Sequence, residues 1–188
     1  MERIILASAS PRRKQLLEWA EIPFDVLVKE TAEDYPEHLS AEEVPVHIAR
    51  NKALAVRADL SHDRIIVAAD TIVVLNNQII GKPANRASAI ATLHDLSGQT
   101  HRVITGVYIG KGEMERCFED VTRVCFHKLT TEQIEYYVDR YKPYDKAGSY
   151  AIQEWIGVIG IKEVSGDFYN VMGLPVSRVV QELQAMMS

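Results

Sequence analysis

The sequence predicts an α/β fold, a mixed sheet flanked by helices, and three observations carry that prediction. Apolar strand-like runs alternate with stretches of helical period. The run Arg64–Leu75, RIIVAADTIVVL, is apolar on both alternating faces, as expected of a strand covered on each side. Helix-start signals, Ser10-Pro11, Ser40 with Glu43 and Thr130 with Gln133, stand between such runs. Asp70 interrupts the central run. An ionised carboxylate among apolar neighbours is costly unless a cation or several donors meet it. The chain offers Lys52, Lys82, a second acid at Glu33, or a bound metal; a hydrogen bond to a neighbouring loop is the plainer alternative.

Taken in order, Ile4–Ala7 is a short apolar strand running into Ser8-Ala9-Ser10-Pro11-Arg12-Arg13. Leu16, Leu17 and Ala20 then mark a helix, with Ser10 as N-cap and Pro11 at its first position. A strand, a small-residue turn and a helix start together favour an anion, because backbone N–H groups and the helix dipole point at the turn. Arg12 and Arg13 run against the dipole's preference for acids, which suggests that they hold something negative. A solvated basic turn is the bland reading. Phe24–Val28 is a second strand, and the acidic loop Glu30-Thr31-Ala32-Glu33-Asp34 follows. Nothing local says which of its acids matters. The Ser40/Glu43 capping box opens a helix to about Ala58. Val44, Ile48 and Lys52 fall at i, i+4 and i+8, so Lys52 lies on or beside the buried stripe, either snorkelling or reaching a buried anion.

After the Asp70 strand, Asn76-Asn77 signals a turn and Gln78–Ile80 a hairpin return. Gly81-Lys82-Pro83 holds its lysine on a tight turn. Ala87–Leu96 reads as an amphipathic helix ending at Gly98. Thr100–Ile109 and Arg116–Phe126 read as antiparallel strands joined through Gly110-Lys111-Gly112. Ile134–Tyr141 is a helix stopped by Pro143. Its tyrosines, interleaved with Arg140 and Lys142, suit an amphipathic helix with wet hydroxyl tips better than a base-stacking surface. Asp145–Gln153 is rich in small and polar groups, unusual for plain core. Gly157–Val164 reads as a glycine-dotted strand, Asn170–Pro175 as a loop and Val176–Met186 as a closing helix. No internal repeat, low-complexity stretch or long linker is visible.

Composition narrows the function. With 188 residues and 47% hydrophobic content the chain can bury a core as one domain or two small lobes. A net charge of −5 leaves no basic excess for a nucleic-acid polymer, although a few local cations suffice for a small polyphosphate. The apolar start of MERIILASAS is too short for a secretory segment, and no run reaches membrane-spanning length. Cys117 and Cys125 have no metal-like spacing, so reduced cytoplasmic thiols are the default. The six histidines show no HExxH or paired-ligand pattern.

Read together, these stretches resemble the Maf family of nucleoside triphosphate pyrophosphatases. The resemblance rests on Ser8–Arg13, Glu33, Lys52, Ala69-Asp70-Thr71, Gly81-Lys82-Pro83, Ser97-Gly98 with His101, Thr105-Gly106, Asp145–Gln153 and Asn170–Pro175, in the family's order and spacing. It implies a single Maf-like domain over residues 1–188, with an elongated sheet and two lobes around a central nucleotide cleft. It also implies attack of water on the α-phosphorus of a nucleoside triphosphate, releasing pyrophosphate, with Asp70 as proton acceptor. Lys52 and Lys82 would offset charge on the phosphate oxygens, and Glu33 and Asp70 would help hold Mg²⁺ or Mn²⁺. Ser8, Ser10, Arg12 and Arg13 would cradle the phosphate chain.

Arg12, Thr71 and Gln153 resemble the subgroup acting on dTTP and UTP. The Gln153 amide, donor and acceptor at once, suits the O4/N3–H edge of uracil or thymine. The alternatives are a purine pyrophosphatase acting on 7-methyl-GTP or inosine triphosphate, and a non-catalytic nucleotide-binding regulator of cell division or septum formation. A homodimer is compatible with the resemblance. Asp70 and Thr71 point to opposite faces of a regular strand, so if both touch ligand the strand should end or bulge there.

Overall fold

The computed structural model describes residues 2–60 and 63–187. One sheet of seven strands has the order β2-β1-β3-β5-β6-β7, with β4 paired to β3. The strands are β1 (Ile4–Leu6), β2 (Phe24–Val26), β3 (Ile66–Leu75), β4 (Gln78–Ile80), β5 (Thr100–Lys111), β6 (Met114–Phe126) and β7 (Ile161–Ser165). The helices are α1 (Pro11–Trp19), α2 (Glu43–Arg57), α3 (Arg86–Leu96), α4 (Thr131–Tyr141), α5 (Trp155–Gly160), α6 (Phe168–Met172) and α7 (Val176–Met187). The mixed α/β class is as the alternating pattern requires. Among the described residues no helix is long and apolar enough to cross a membrane. The chain divides into two compact units, Met1–Asp70 with Thr105–Asp120 and Gly173–Ser188, and Thr71–Ile104 with Val121–Met172.

In the first unit β1 lies parallel to both β2 and β3, with Ile4 opposite Phe24 and Ile5 opposite Ile66. Helix α2 packs on these strands through Ala49, Ala53 and Val56, which cluster with Ile5, Ala7, Ile66, Ala68 and Tyr108. Small side chains on both partners bring helix and sheet close. Gly106 of β5 brings them closer still. A Cβ there would stand 2.1 Å from the Val46 nitrogen and 2.2 Å from the Pro45 carbonyl carbon, so the start of α2 sits directly on bare backbone. The Ser40/Glu43 box forms, Ser40 N–H donating to Glu43 Oε2 at 2.8 Å and Glu43 N–H to Ser40 Oγ at 3.3 Å. The α-helix nevertheless begins at Glu43, because Pro45 has no N–H with which to extend the ladder backward.

In the second unit the Asn76-Asn77 turn is left-handed at both residues, φ 50° and 63°, and returns β4 against β3 with Val73 opposite Ile80. Asn85 and Ser88 form a capping box on α3, as Thr130 and Gln133 do on α4. Helix α4 is amphipathic, burying Ile134, Tyr137 and Val138.

Two sequence expectations are corrected here. Gly157–Val164 is not one strand: it divides into α5 and β7. Ile156, Gly157 and Gly160 form the buried face of α5 while Val158 is exposed, and a Cβ on Gly157 would fall 1.7 Å from the Ile152 carbonyl oxygen. Nor is Asn170–Pro175 all loop, since Asn170–Met172 complete α6. Asp167 starts that helix, its Oδ1 accepting from Tyr169 N–H at 2.7 Å. Asn170 is buried and donates from Nδ2 to the Val103 carbonyl at 3.1 Å and to Thr122 Oγ1 at 3.0 Å.

His101 is buried between Phe126 and Tyr150, its Nε2 at 2.7 Å from the Tyr150 hydroxyl. Burial pushes its pKa down to about 4 from an ordinary 6.5. Below the unfolded value the unfolded chain takes a proton that the folded one refuses, so folding stability falls as pH drops from about 6.5 toward about 4. The expected loss is about 3 kcal/mol from this residue. Urea unfolding between pH 7 and 4 should show it, and His101→Gln should flatten that segment of the profile; an unchanged slope in the variant would refute the assignment.

Candidate active site

The first unit assembles most of the predicted residues. Ser10 caps α1, its Oγ accepting from Arg13 N–H at 3.4 Å, and Pro11 takes the first helical position. Ser8 Oγ accepts from Ser10 N–H at 3.3 Å and from Arg13 Nη1 at 3.1 Å. Arg13 Nε donates to the Gly173 carbonyl at 2.7 Å. Arg13 is therefore turned inward and builds the turn, whereas Arg12 beside it is half-buried. Burial lowers the Arg13 pKa to about 10 against the opposing pull of Asp70 and Glu33, so it stays charged at neutral pH in the field of both carboxylates.

Asp70 meets its cation in Lys52. Lys52 Nζ donates to Asp70 Oδ1 at 2.7 Å and to Glu33 Oε1 at 2.9 Å. Of the two readings of the α2 stripe, the reaching lysine is the one realised, with 18% of its side chain exposed beside 13% for Asp70. Glu33 arrives from an irregular loop and is more open, at 47%. Asp70 Oδ2 takes no hydrogen bond among the described residues. The strand end considered at Asp70 does not occur: β3 runs on to Leu75, and Asp70 and Thr71 are its two half-open positions among buried ones.

Thr71, Lys82 and Gln153 belong to the second unit. Lys82 is exposed on the loop after β4, and Gln153 is exposed ahead of α5. The two loops are tied together, Gly148 N–H donating to the Gly81 carbonyl at 3.3 Å. Gly148 and Ser149 are both left-handed, φ 70° and 62°, in the middle of the Asp145–Gln153 segment. Three residues that sequence reasoning did not single out stand in this unit. Lys146 is buried and pairs with Asp145 at 2.7 Å and Glu154 at 3.7 Å, and Glu154 accepts from the hydroxyl of the buried Tyr137. A lysine within Asp145–Gln153 and an acid just after it were visible in the chain, but the approach of Lys146 to Glu154 and the bond of Glu154 to Tyr137 are tertiary events.

Among the described residues no group of three or more His, Cys, Asp or Glu side chains forms a metal cage. Glu33 and Asp70, bridged by one ammonium, are two hard oxygen donors, which fits a cation that keeps waters and takes further oxygens from a phosphate chain.

The family described as Maf-like protein matches residues 3–186. A relative from Cytophaga hutchinsonii named dTTP/UTP pyrophosphatase is 52% identical over 97% of this chain and 84% of its own length. Relatives of the same name from Parabacteroides distasonis and Phocaeicola vulgatus are 49% and 50% identical, each over 97% of this chain and 95% of theirs. A partial likeness, at 16% identity and a TM-score of 0.43, links 66% of the chain to 72% of the Staphylococcus aureus Ham1 protein structure. With the family's match running nearly from end to end, this chain belongs to the Maf family.

Proposed function

We propose that this chain hydrolyses dTTP and UTP to the nucleoside monophosphate and pyrophosphate, acting as one Maf-like domain. The observation that carries the reading is the Lys52 ammonium shared by Asp70 and Glu33, with Arg13 charged in their field. The relatives' common name supports the substrate.

Water attacks the α-phosphorus and the α–β bridging oxygen leaves with pyrophosphate. Asp70 takes the water's proton. Lys52 holds Asp70 in place through Oδ1, leaving Oδ2 to face the water. Phosphoryl-type transfer otherwise asks for positioning and charge neutralisation. The start of α1 and the half-buried Arg12 hold phosphate oxygens, and the Ser8–Ser10–Arg13 bonds keep that turn in shape before substrate arrives. Lys82 adds positive charge toward the leaving pyrophosphate. Glu33 and Asp70 would hold Mg²⁺ or Mn²⁺, which supplies charge neutralisation on the phosphate oxygens when bound. Gln153 and Thr71 read the base.

Incubation with dTTP, UTP and 7-methyl-GTP, each with Mg²⁺ or Mn²⁺, tests this. Monophosphate plus pyrophosphate from the pyrimidines is the expected result. 7-Methyl-GMP as main product would move the substrate to a purine, and absence of turnover on all three would leave a nucleotide-binding regulator.

A further inference from the structure

Lys52 Nζ stands 2.9 Å from Glu33 Oε1 and 2.7 Å from Asp70 Oδ1, so one ammonium already neutralises both acids that would hold a divalent cation. A Mg²⁺ ion lies about 2.1 Å from each oxygen it takes, which on either of these oxygens puts it within about 5 Å of the ammonium. Like charges that close, in a half-buried setting, repel strongly. The two acids hold the ammonium unequally. Asp70 sits on β3 and is largely covered, whereas Glu33 comes from an irregular loop and is half exposed. A second ion pair, Lys29 with Asp59 at 2.6 Å, ties the same loop beside the end of α2, so the loop's place does not depend on Lys52 alone. The bond to Glu33 is the longer and wetter of the two, and it is the one that can be exchanged.

We propose that the Lys52 ammonium is the resting counter-ion of the cation site. In the nucleotide-free protein it keeps divalent cations off Glu33 and Asp70, and an incoming phosphate draws it away from Glu33, so that cation and nucleotide reinforce each other's binding. This rests on the reading that Glu33 and Asp70 hold Mg²⁺ or Mn²⁺. A phosphate oxygen is a charged acceptor of the same kind as a carboxylate oxygen, so it competes with Glu33 for the ammonium directly. Asp70, on its strand and largely covered, keeps its bond. Once the ammonium is set against phosphate, Glu33 lacks a cation and the site accepts one. The coupling is reciprocal: the factor by which nucleotide raises cation affinity is the factor by which the cation raises nucleotide affinity.

The test measures Mn²⁺ binding by electron paramagnetic resonance, without nucleotide and with dTMP raised to saturation; dTMP, as a product, is not turned over. Wild type alone should bind Mn²⁺ weakly, and dTMP should tighten that binding about tenfold or more. Lys52→Met should bind Mn²⁺ about tenfold more tightly than wild type without dTMP, and gain less than about threefold when dTMP is added. Glu33→Gln in the Lys52→Met background should return Mn²⁺ binding to wild-type weakness or below, which identifies the carboxylate released. Equal Mn²⁺ affinity in nucleotide-free wild type and Lys52→Met would overturn the counter-ion role, and so would a full dTMP-dependent gain in the variant. In either case the cation reading of Glu33 and Asp70 stands. If neither protein binds Mn²⁺ with or without dTMP, that reading falls and the counter-ion role with it. Should Lys52→Met not fold, Lys52→Gln takes its place, and a wild type whose Mn²⁺ affinity is unmoved by dTMP overturns the proposal without any variant.

Discussion

Asp70→Asn yields a folded protein without useful turnover. The amide is isosteric with the carboxylate, so Oδ1 still accepts from Lys52 Nζ, and Lys52 keeps its second partner in Glu33. The stability change is therefore small, about 1 kcal/mol, the scale of weakening one hydrogen bond. What disappears is the capacity to take a proton. Loss of a general base costs roughly 10²- to 10⁴-fold in rate, so kcat on dTTP should fall within that range. Pyrophosphate release alongside a thermal melt measures both effects at once. A variant running at wild-type rate would remove Asp70 from the chemistry.

Lys52→Met fails differently, in rate and in stability together. The methionine replaces most of the buried stem and deletes the ammonium. Asp70, with 13% of its side chain exposed, then loses its cation, and Glu33 loses the bridge that holds it near. The cost lies between that of an exposed pair and a buried one, about 1–3 kcal/mol. On the proposed role of Lys52 in offsetting developing phosphate charge, its removal should lower kcat by about 10²- to 10³-fold. Lys52→Arg should recover stability better than rate, because a planar fork does not reproduce one point donor shared by two oxygens. Equal melting temperatures for Lys52→Met and wild type would show that the bridge contributes nothing to the fold.

The contrast between these residues marks how far sequence reaches. Ser10-Pro11 and the Thr130/Gln133 box are local chemistry, and α1 and α4 begin where they place them. Asp70 was legible as an oddity because a charge in an apolar strand demands a partner. Which partner was not legible: the i, i+4, i+8 spacing of Val44, Ile48 and Lys52 put Lys52 on or beside the buried stripe, and only packing decides whether such a side chain seeks solvent or an acid. Glu33 has neighbours of the same charge in an irregular loop, so it could be singled out only by resemblance to a family motif. Gly157 misled because an apolar run with glycines fits strand and helix alike, and the Ile152 carbonyl that needs the missing Cβ lies outside the run. The grip of Tyr137 on Ala151 and Glu154 spans separate elements, and no spacing rule encodes it.

Gly106 carries a lesson for anyone scanning this chain by saturation mutagenesis. With the Val46 nitrogen 2.1 Å from where a methyl would go, even alanine must push a helix off its floor. Intolerance there will be uniform across replacements and indifferent to which nucleotide is supplied. A position of that profile reports architecture, whereas one whose tolerance changes with the nucleobase on offer reports recognition.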